Sequence, residues 1–366
     1  ISQTSSLMKM INENESPELN QKLGEAYYMR GMMYFYLCRV FGRPYYQEPE
    51  KNLGVPIVNG MPEDMDNLDL PDRSSVKDTY EQVLSDLKKA EELMSDFKSP
   101  AYASKYAAQA LLAKVYMYMS GTFENPNKEY AQLSYNYANE VIESNQFSLL
   151  SRSTFMTYNE LAPDAASQTE TIFAVKFIAS DWDDWGSPLG SMYAEIDGQG
   201  WGEVYASAKY MDLLHETGKN TDAREAFIHP QYKKNDAGDQ IPAFRFVANL
   251  YTDGKISGYV YRQGETKEVG GKLIATVDDE EYTLTPVDVD NKRYSISYKG
   301  KTYVGDYDYL MLESQGNPKF YSYKCSKQEG YPHLYSPVIS RLGELYLIRA
   351  EASAKSVSYT HLTLPT

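Results

Sequence analysis

The chain has 366 residues, 42% hydrophobic and 24% charged, which suits a folded protein longer than one compact core usually grows. A formal net charge of −15 repels phosphate backbones and anionic lipid, and no Lys/Arg cluster offsets it, which argues against nucleic acid and direct membrane adsorption. Two cysteines, Cys38 and Cys325, define no disulfide framework whether or not they pair, and four histidines leave little for a metal site, so no cofactor is expected.

Residues 21–41 (QKLGEAYYMRGMMYFYLCRVF) place apolar and aromatic residues at three- and four-residue spacing, which predicts a buried helix ended by Gly42 and Pro44. A polar loop with four prolines follows over 45–73. Ser74 or Ser75 then caps a second helix reaching about Met94, with Tyr80, Val83, Leu84, Leu87 and Ala90 inward. Residues 104–119 and 128–144 give a third and a fourth helix. Residues 171–178 (TIFAVKFI) read as a short buried extended segment, and a further helix is expected from about Ala206 to His215. From 241 to 323 the period changes to two, with turn signals at Asp253-Gly254, Gly270-Gly271 and Lys299-Gly300, which is hairpin patterning. The last helix is expected from about Val338 to Lys355. No run of about 18 apolar residues occurs, so the sequence offers no membrane-spanning helix. With no Met and no signal peptide at Ile1, the chain reads as lacking its true N-terminus, and residues 356–366 break the last helix in mid-stride like a foreign tail.

A repeat runs through the helices. Tetratricopeptide-type pairs set a large residue, a small one and then Tyr three later on the first helix, with Ala, an aromatic and Ala on the second. The small residue admits the partner helix and the ring fills the groove beside it. Leu112-Ala113 with Tyr116, answered by Ala131, Tyr135 and Ala138, fits this pattern. Gly31 with Tyr34, answered by Val83, Leu87 and Ala90, fits it too, as does the half-pair Leu342-Gly343 with Tyr346. The fold class expected is mainly α, built of tetratricopeptide-like helix pairs with a loop- and β-hairpin-rich insertion. The linkers are long for a protein-binding solenoid, which points to loops that carry the function.

The same residues carry a family resemblance. Glu25-Ala26-Tyr27-Tyr28-Met29-Arg30-Gly31, continuing through Tyr34-Phe35-Tyr36-Leu37 to Phe41-Gly42-Arg43-Pro44, resembles the first helix of SusD/RagB proteins. Arg73-Ser74-Ser75-Val76 leading to Tyr80 and Asp86-Leu87, then Ala107-Ala108 leading to Ala110–Tyr116, follow in family order. Asp222-Ala223-Arg224 and Arg341–Leu347 with Ala350-Glu351-Ala352 complete the series. The resemblance implies a SusD-like α-solenoid body in one domain over 1–355, truncated at both ends. The helical body would occupy 20–150 and 338–355, a loop and ligand region 151–240, and a β-rich insertion 241–330. It also implies a non-catalytic lipoprotein exposed on the outer membrane. Such a protein binds oligosaccharide or polysaccharide and delivers it to a SusC-like TonB-dependent transporter, held to the membrane only by an N-terminal lipid anchor that this chain does not carry.

Sugar recognition needs flat apolar faces for pyranose C–H groups and polar edges for the hydroxyls. Asp181-Trp182-Asp183-Asp184-Trp185 supplies both, and Tyr193, Trp201 and Tyr205 follow within twenty-odd residues. All 3 tryptophans fall in the window 182–201. These eight residues are the candidate glycan site. A bland alternative has the tryptophans plugging a seam, and another has the aspartates holding Ca²⁺, although their spacing is not that of a calcium loop. Glu344 and Glu351 are expected to pair with Arg341 or Arg349, and Asp222 with Arg224, as structural contacts. A peptide-binding helical repeat, or a peptide-importing relative in the same family, is the competing reading. A hydrolase using Asp183 or Glu195 finds no supporting motif.

Overall fold

Each long helix begins at a side chain that satisfies its orphan N–H groups. In the computed structural model, which describes residues 1–58, 60, 71–95, 97–181, 189–218 and 221–356, α1 (Ser2–Met10) precedes α2 (Pro17–Phe41). Ser16 caps α2 by accepting from the Leu19 N–H, with Pro17 at the first position. Ser75 and Asp78 form a reciprocal capping box on α3 (Val76–Leu93). Ser104 caps α4 (Lys105–Met119), Asn127 caps α5 (Lys128–Glu143), and Ser151 caps the single turn α6 (Arg152–Phe155). Ser207 caps α7 (Ala208–His215), and α8 spans Leu342–Ser356.

The strands are β1 (Thr171–Ala174), β2 (Ile228–Pro230), β3 (Pro242–Thr252), β4 (Lys255–Val269) and β5 (Lys272–Val277). Then come β6 (Glu280–Thr283), β7 (Thr285–Asp288), β8 (Arg293–Tyr298) and β9 (Lys301–Tyr309). Short strands β10 (Glu313–Ser314), β11 (Asn317–Pro318), β12 (Phe320–Ser322) and β13 (Val338–Arg341) close the series. The chain divides into two units, one of residues 1–150, 163–176 and 336 onward, the other of residues 151–162 and 177–335.

In the helical unit α2 packs on α3, α3 on α4, α4 on α5 and α8 on α5, so the repeat pairs are real neighbours. A methyl group on Gly31 would lie 3.1 Å from the Leu87 side chain and 3.2 Å from Asp86 Cβ, so glycine sets how closely α3 approaches. Beside it Arg30 grips the buried Asp86 with both prongs, Nη2–Oδ1 at 2.6 Å and Nε–Oδ2 at 2.8 Å. Arg30 Nη1 also donates to Ser5 Oγ of α1 at 3.2 Å. Between α4 and α5 the Ser134 hydroxyl donates to Ala113 O at 2.7 Å, and Tyr116 stacks on Tyr137. Arg73 pins the loop after α2 by donating to the carbonyls of Gly54, Phe41 and Leu53.

Residues Val338–Arg341, expected in the last helix, form β13 instead and pair antiparallel with β1. Pro337 and the β-branched Val338 and Ile339 favour extension, and buried Glu170 fixes where the helix starts. Its carboxylate accepts from Arg341 at 2.9 Å and from the Gly343 N–H at 3.0 Å, an anion at a helix N-terminus. The extended segment expected over 171–178 keeps strand geometry only as far as Ala174. Glu344 pairs with Lys114 and Glu351 with Lys355, rather than with Arg341 or Arg349. Lys355, 6% exposed, donates to Ser120 Oγ and Gly121 O.

The second unit is built on a seven-stranded sheet in the order β6-β5-β4-β3-β9-β8-β7. Asp253-Gly254, Gly270-Gly271 and Lys299-Gly300 turn its hairpins, all with positive φ, as the right-handed strand twist requires of a two-residue turn. A fourth such turn, Asp278-Asp279, joins β5 to β6 without glycine, at φ of 50° and 65°. Phe244, Phe246, Val277, Ile296 and Tyr298 bury one face. Across the other runs a row of cross-strand neighbours, Gln263 on β4, Arg245 on β3, Asp306 on β9 and Arg293 on β8. His215 from the end of α7 joins the row, with Nδ1 2.6 Å from Asp306 Oδ2 and Nε2 2.9 Å from Glu225 Oε1. Cys38 and Cys325 are free thiols, and burial pushes the Cys38 thiol up to about 11.

Asp86→Ala leaves the Arg30 guanidinium without its partner and should cost about 3–5 kcal/mol in urea unfolding, while Arg30→Met/Asp86→Leu should recover most of that loss. A double variant as unstable as either single one would place the cost in packing alone. His215 titrates above the usual histidine range: burial pulls it down, and the hydrogen bonds and charges of Asp306 and Glu225 push it up by more. Its stabilisation is therefore complete below about pH 6.5 and fades as pH rises through the higher folded value. The stability gap between wild type and His215→Gln should be about 2–3 kcal/mol at acid pH and shrink in alkali; a gap constant with pH would mean the imidazole is neutral throughout.

Candidate functional site

The loop 189–206 has its backbone fixed at almost every step by residues of its own unit. Gly190 lies so close to the Cys325 carbonyl that a methyl group there would stand 2.1 Å from its oxygen. Asp197-Gly198, both at positive φ, make a tight turn closed by reciprocal hydrogen bonds between Ile196 and Gln199. The buried imidazole of His333 donates from Nε2 to Gln199 O at 2.9 Å, leaving Nδ1 to accept from the Ser326 hydroxyl at 3.3 Å. Trp201 and Gly202 both donate their N–H to Ser191 O, at 2.8 and 3.0 Å, and Glu203 and Val204 donate to Met192 O. Gly202, at φ +54°, lies against the Tyr321 ring, 2.8 Å from where a methyl group would sit. The Ala206 N–H donates to Phe320 O and the Ser322 N–H to Tyr193 O, which ties both ends of the loop to β12.

On this rigid loop Trp201 is 57% exposed. Leu189, Met192 and Val204, also exposed, are carried by the same hydrogen-bonded loop. Tyr193 and Tyr205 are half-buried, and the Tyr205 ring meets Tyr321 at 6.4 Å between centroids. Asp181 is exposed, but its Oδ2 accepts from the Ile178 N–H at 2.9 Å, so that carboxylate closes a local turn. Trp182, Asp183, Asp184 and Trp185 lie outside the described residues. Of the eight candidates, the structure therefore gathers Tyr193, Trp201 and Tyr205 on one loop.

Sequence reasoning missed the residues that hold this loop: His333, Ser326, Tyr321, and Tyr323, whose ring stacks on His229 at 3.7 Å. The alternation Tyr321-Ser322-Tyr323 was the available signal, because it puts two rings on one side of a short strand. Asp222 and Arg224 do pair, at 2.5 Å, and the side-chain and backbone hydrogen bonds from Arg224 hold the Asp222 carboxyl down at about 2. Among the described residues no group of three or more His, Cys, Asp or Glu is placed to hold a metal ion, and no helix is long and apolar enough to cross a membrane. Chemically, the site offers a fixed, solvent-facing indole with exposed carboxylates, Glu195 and Glu203, on the same loop. Such a surface stacks on an apolar ring face and accepts hydrogen bonds at its edge.

A SusD-like protein-family model, described as "Starch-binding associating with outer membrane", matches residues 1–117. SusD-like protein P2 of Formosa agariphila is 29% identical over 121 residues, 33% of this chain and 21% of that protein. A SusD-superfamily structure from Bacteroides thetaiotaomicron has a TM-score of 0.63 at 24% identity, covering 97% of this chain and 60% of its own. A structure solved with a xylogluco-oligosaccharide has a TM-score of 0.54 at 18% identity, covering 97% of this chain and 58% of its own. The chain thus spans less than two thirds of the length of each of these relatives. Over residues 1–117 the chain is thus similar in sequence to SusD-like proteins, and over nearly its whole length it has the fold of SusD-superfamily structures.

Proposed function

We propose that this protein binds oligosaccharide or polysaccharide at the cell surface without turnover and delivers it to a SusC-like TonB-dependent transporter of the outer membrane. The observation that carries the binding step is Trp201, an indole 57% exposed on a loop whose backbone cannot retreat. A large apolar ring left in water contributes little to the fold, whereas a rigid one loses little entropy when a ligand stacks on it. Support for the ligand class comes from the family description, with its reference to starch, and from the neighbour solved with a xylogluco-oligosaccharide. The same description, associating with outer membrane, supports the location. Delivery to a transporter, surface anchoring through an N-terminal lipid and the absence of turnover belong to this proposal. So do Asp181, Trp182, Asp183, Asp184 and Trp185 as further contacts, with Tyr193 and Tyr205 on the same loop as Trp201.

The test is a titration of tryptophan fluorescence against soluble plant, host and microbial glycans, with reducing-sugar release followed in parallel. A saturable change with no sugar released is expected. Trp201→Ala should weaken it roughly tenfold, the equivalent of about 1–1.5 kcal/mol of lost stacking. Gly202→Ala keeps the indole but forces the loop off Tyr321, and should weaken binding as well. Affinity unchanged in both variants would remove Trp201 from the site, and release of reducing sugar would overturn the non-catalytic reading.

A further inference from the structure

A cleft of about 580 Å³ opens in the second unit where α7 leaves part of the charged sheet face uncovered. Its floor is Val247 and Asn249 of β3 with Thr302 and Val304 of β9. These residues alternate along their strands in step with Arg245 and Asp306, so they continue the same face outward. One wall is the last turn of α7, including Asp212, and the other is the turn between β7 and β8, with Asp288 and Asn291.

Both walls are fixed before any ligand arrives. Arg293 donates to Asp306 at 2.9 Å and reaches Asp212 at 3.5 Å, which locks α7 to the sheet. Asp288 accepts from both the Asn291 N–H, at 3.2 Å, and the Asn291 side-chain amide, at 2.7 Å, which locks the opposite turn. Asp212 is also paired with Lys209 at 3.2 Å. The cations of the lining are thus engaged by carboxylates, which disfavours a phosphate or sulfate ligand. The rest of the lining combines amide, hydroxyl and short aliphatic groups from Asn249, Thr302, Val247 and Val304 with the carboxylates of Glu216 and Asp288, which accept from hydroxyls. Such a lining suits a molecule with hydroxyls at its edge and C–H groups on its face, and the volume falls in the range of about 300–1,000 Å³ usual for small-ligand sites.

We infer that this cleft is a binding site for a short neutral saccharide, separate in its residues from the Trp201 platform. It stands on its own lining and does not depend on that platform binding glycan. The test uses saturation-transfer NMR with maltose, cellobiose, xylobiose and lactose, each at about 10 mM, a concentration that detects millimolar affinity. Wild type, Trp201→Ala, Thr302→Trp and Asn249→Ala are compared after circular dichroism has shown each folded. At least one disaccharide should give saturable transfer that persists in Trp201→Ala and disappears when the Thr302→Trp ring fills the cleft. Asn249→Ala, which only truncates a half-buried amide, should weaken the same ligand roughly tenfold by leaving its hydroxyls unpaired. Transfer that survives Thr302→Trp, transfer that vanishes with Trp201→Ala, or no transfer from any of the four sugars overturns the inference. The second of these outcomes leaves the Trp201 platform standing, and loss in Thr302→Trp alone leaves only the cleft.

Discussion

Asp86 is a carboxylate with 1% of its side chain exposed, set between helices that must lie close together. A charge so placed must be matched, or it works against the fold. The match comes from Arg30, whose planar fork meets both oxygens, with Gln82 as a third donor at 2.9 Å. That geometry exists only if α2 and α3 approach tightly, and the neighbouring Gly31 admits the approach. One turn further along α2, the Tyr34 hydroxyl accepts from the Val58 N–H at 2.7 Å and donates to Val58 O, so the long loop after α2 hangs from the same helix face. The ion pair thus joins α1, α2 and α3, and Tyr34 on the same helix holds the loop between them.

Asp306 plays the corresponding part in the second unit, with a different balance. It sits between Arg245 and Arg293 in the cross-strand row and receives His215 from α7. Arg245 also reaches Asp308 at 2.9 Å, and Tyr232 donates to that carboxylate. Burial works against a charged imidazole, but Asp306 and Glu225 hydrogen-bond its two ring nitrogens and add their charges, which explains why His215 holds its proton more firmly than a free histidine. In the helical unit a buried pair fixes spacing; here a buried row fixes a helix against a sheet and shapes the edge of the open cleft.

The helical pattern was legible because apolar spacing and a cap such as Ser75 are local signals, although α2 begins at Pro17, ahead of the expected residue 21, and α1 was not expected. The three glycine-bearing hairpin turns were legible for the same reason. Asp278-Asp279 was not read as a turn because it lacks glycine, although aspartate tolerates the left-handed region; the pairing of β5 with β6 sets it. Val338–Arg341 was misread because its partner β1 lies far away in sequence, and pairing across that distance leaves no local trace. At the candidate site the tryptophan was visible as a residue type, but its exposure was not. Exposure depends on Tyr321, Ser326 and His333, more than a hundred residues further on, holding the loop from below.

Several of the residues that carry the family resemblance fix the chain by polar contacts or permit close packing. Arg30, Gly31 and Asp86 join two helices, Arg73 pins a loop to three carbonyls, and Arg341 and Gly343 share the Glu170 carboxylate. Removing Asp86 or Arg30 leaves a buried charge unmet, at about 3–5 kcal/mol against a typical folding free energy of about 5–15 kcal/mol, and a side chain at Gly31 would press on Leu87. Trp201 is under no such constraint, since an exposed indole can be exchanged with little effect on stability. The family match over residues 1–117 lies wholly within the helical unit and ends well before the loop 189–206. The matched scaffold and the loop that carries Trp201 thus lie in different parts of the chain and under different physical rules. A resemblance strong enough to assign the fold is for that reason silent about the surface chemistry of that loop and of the cleft, which has to be read from their own residues.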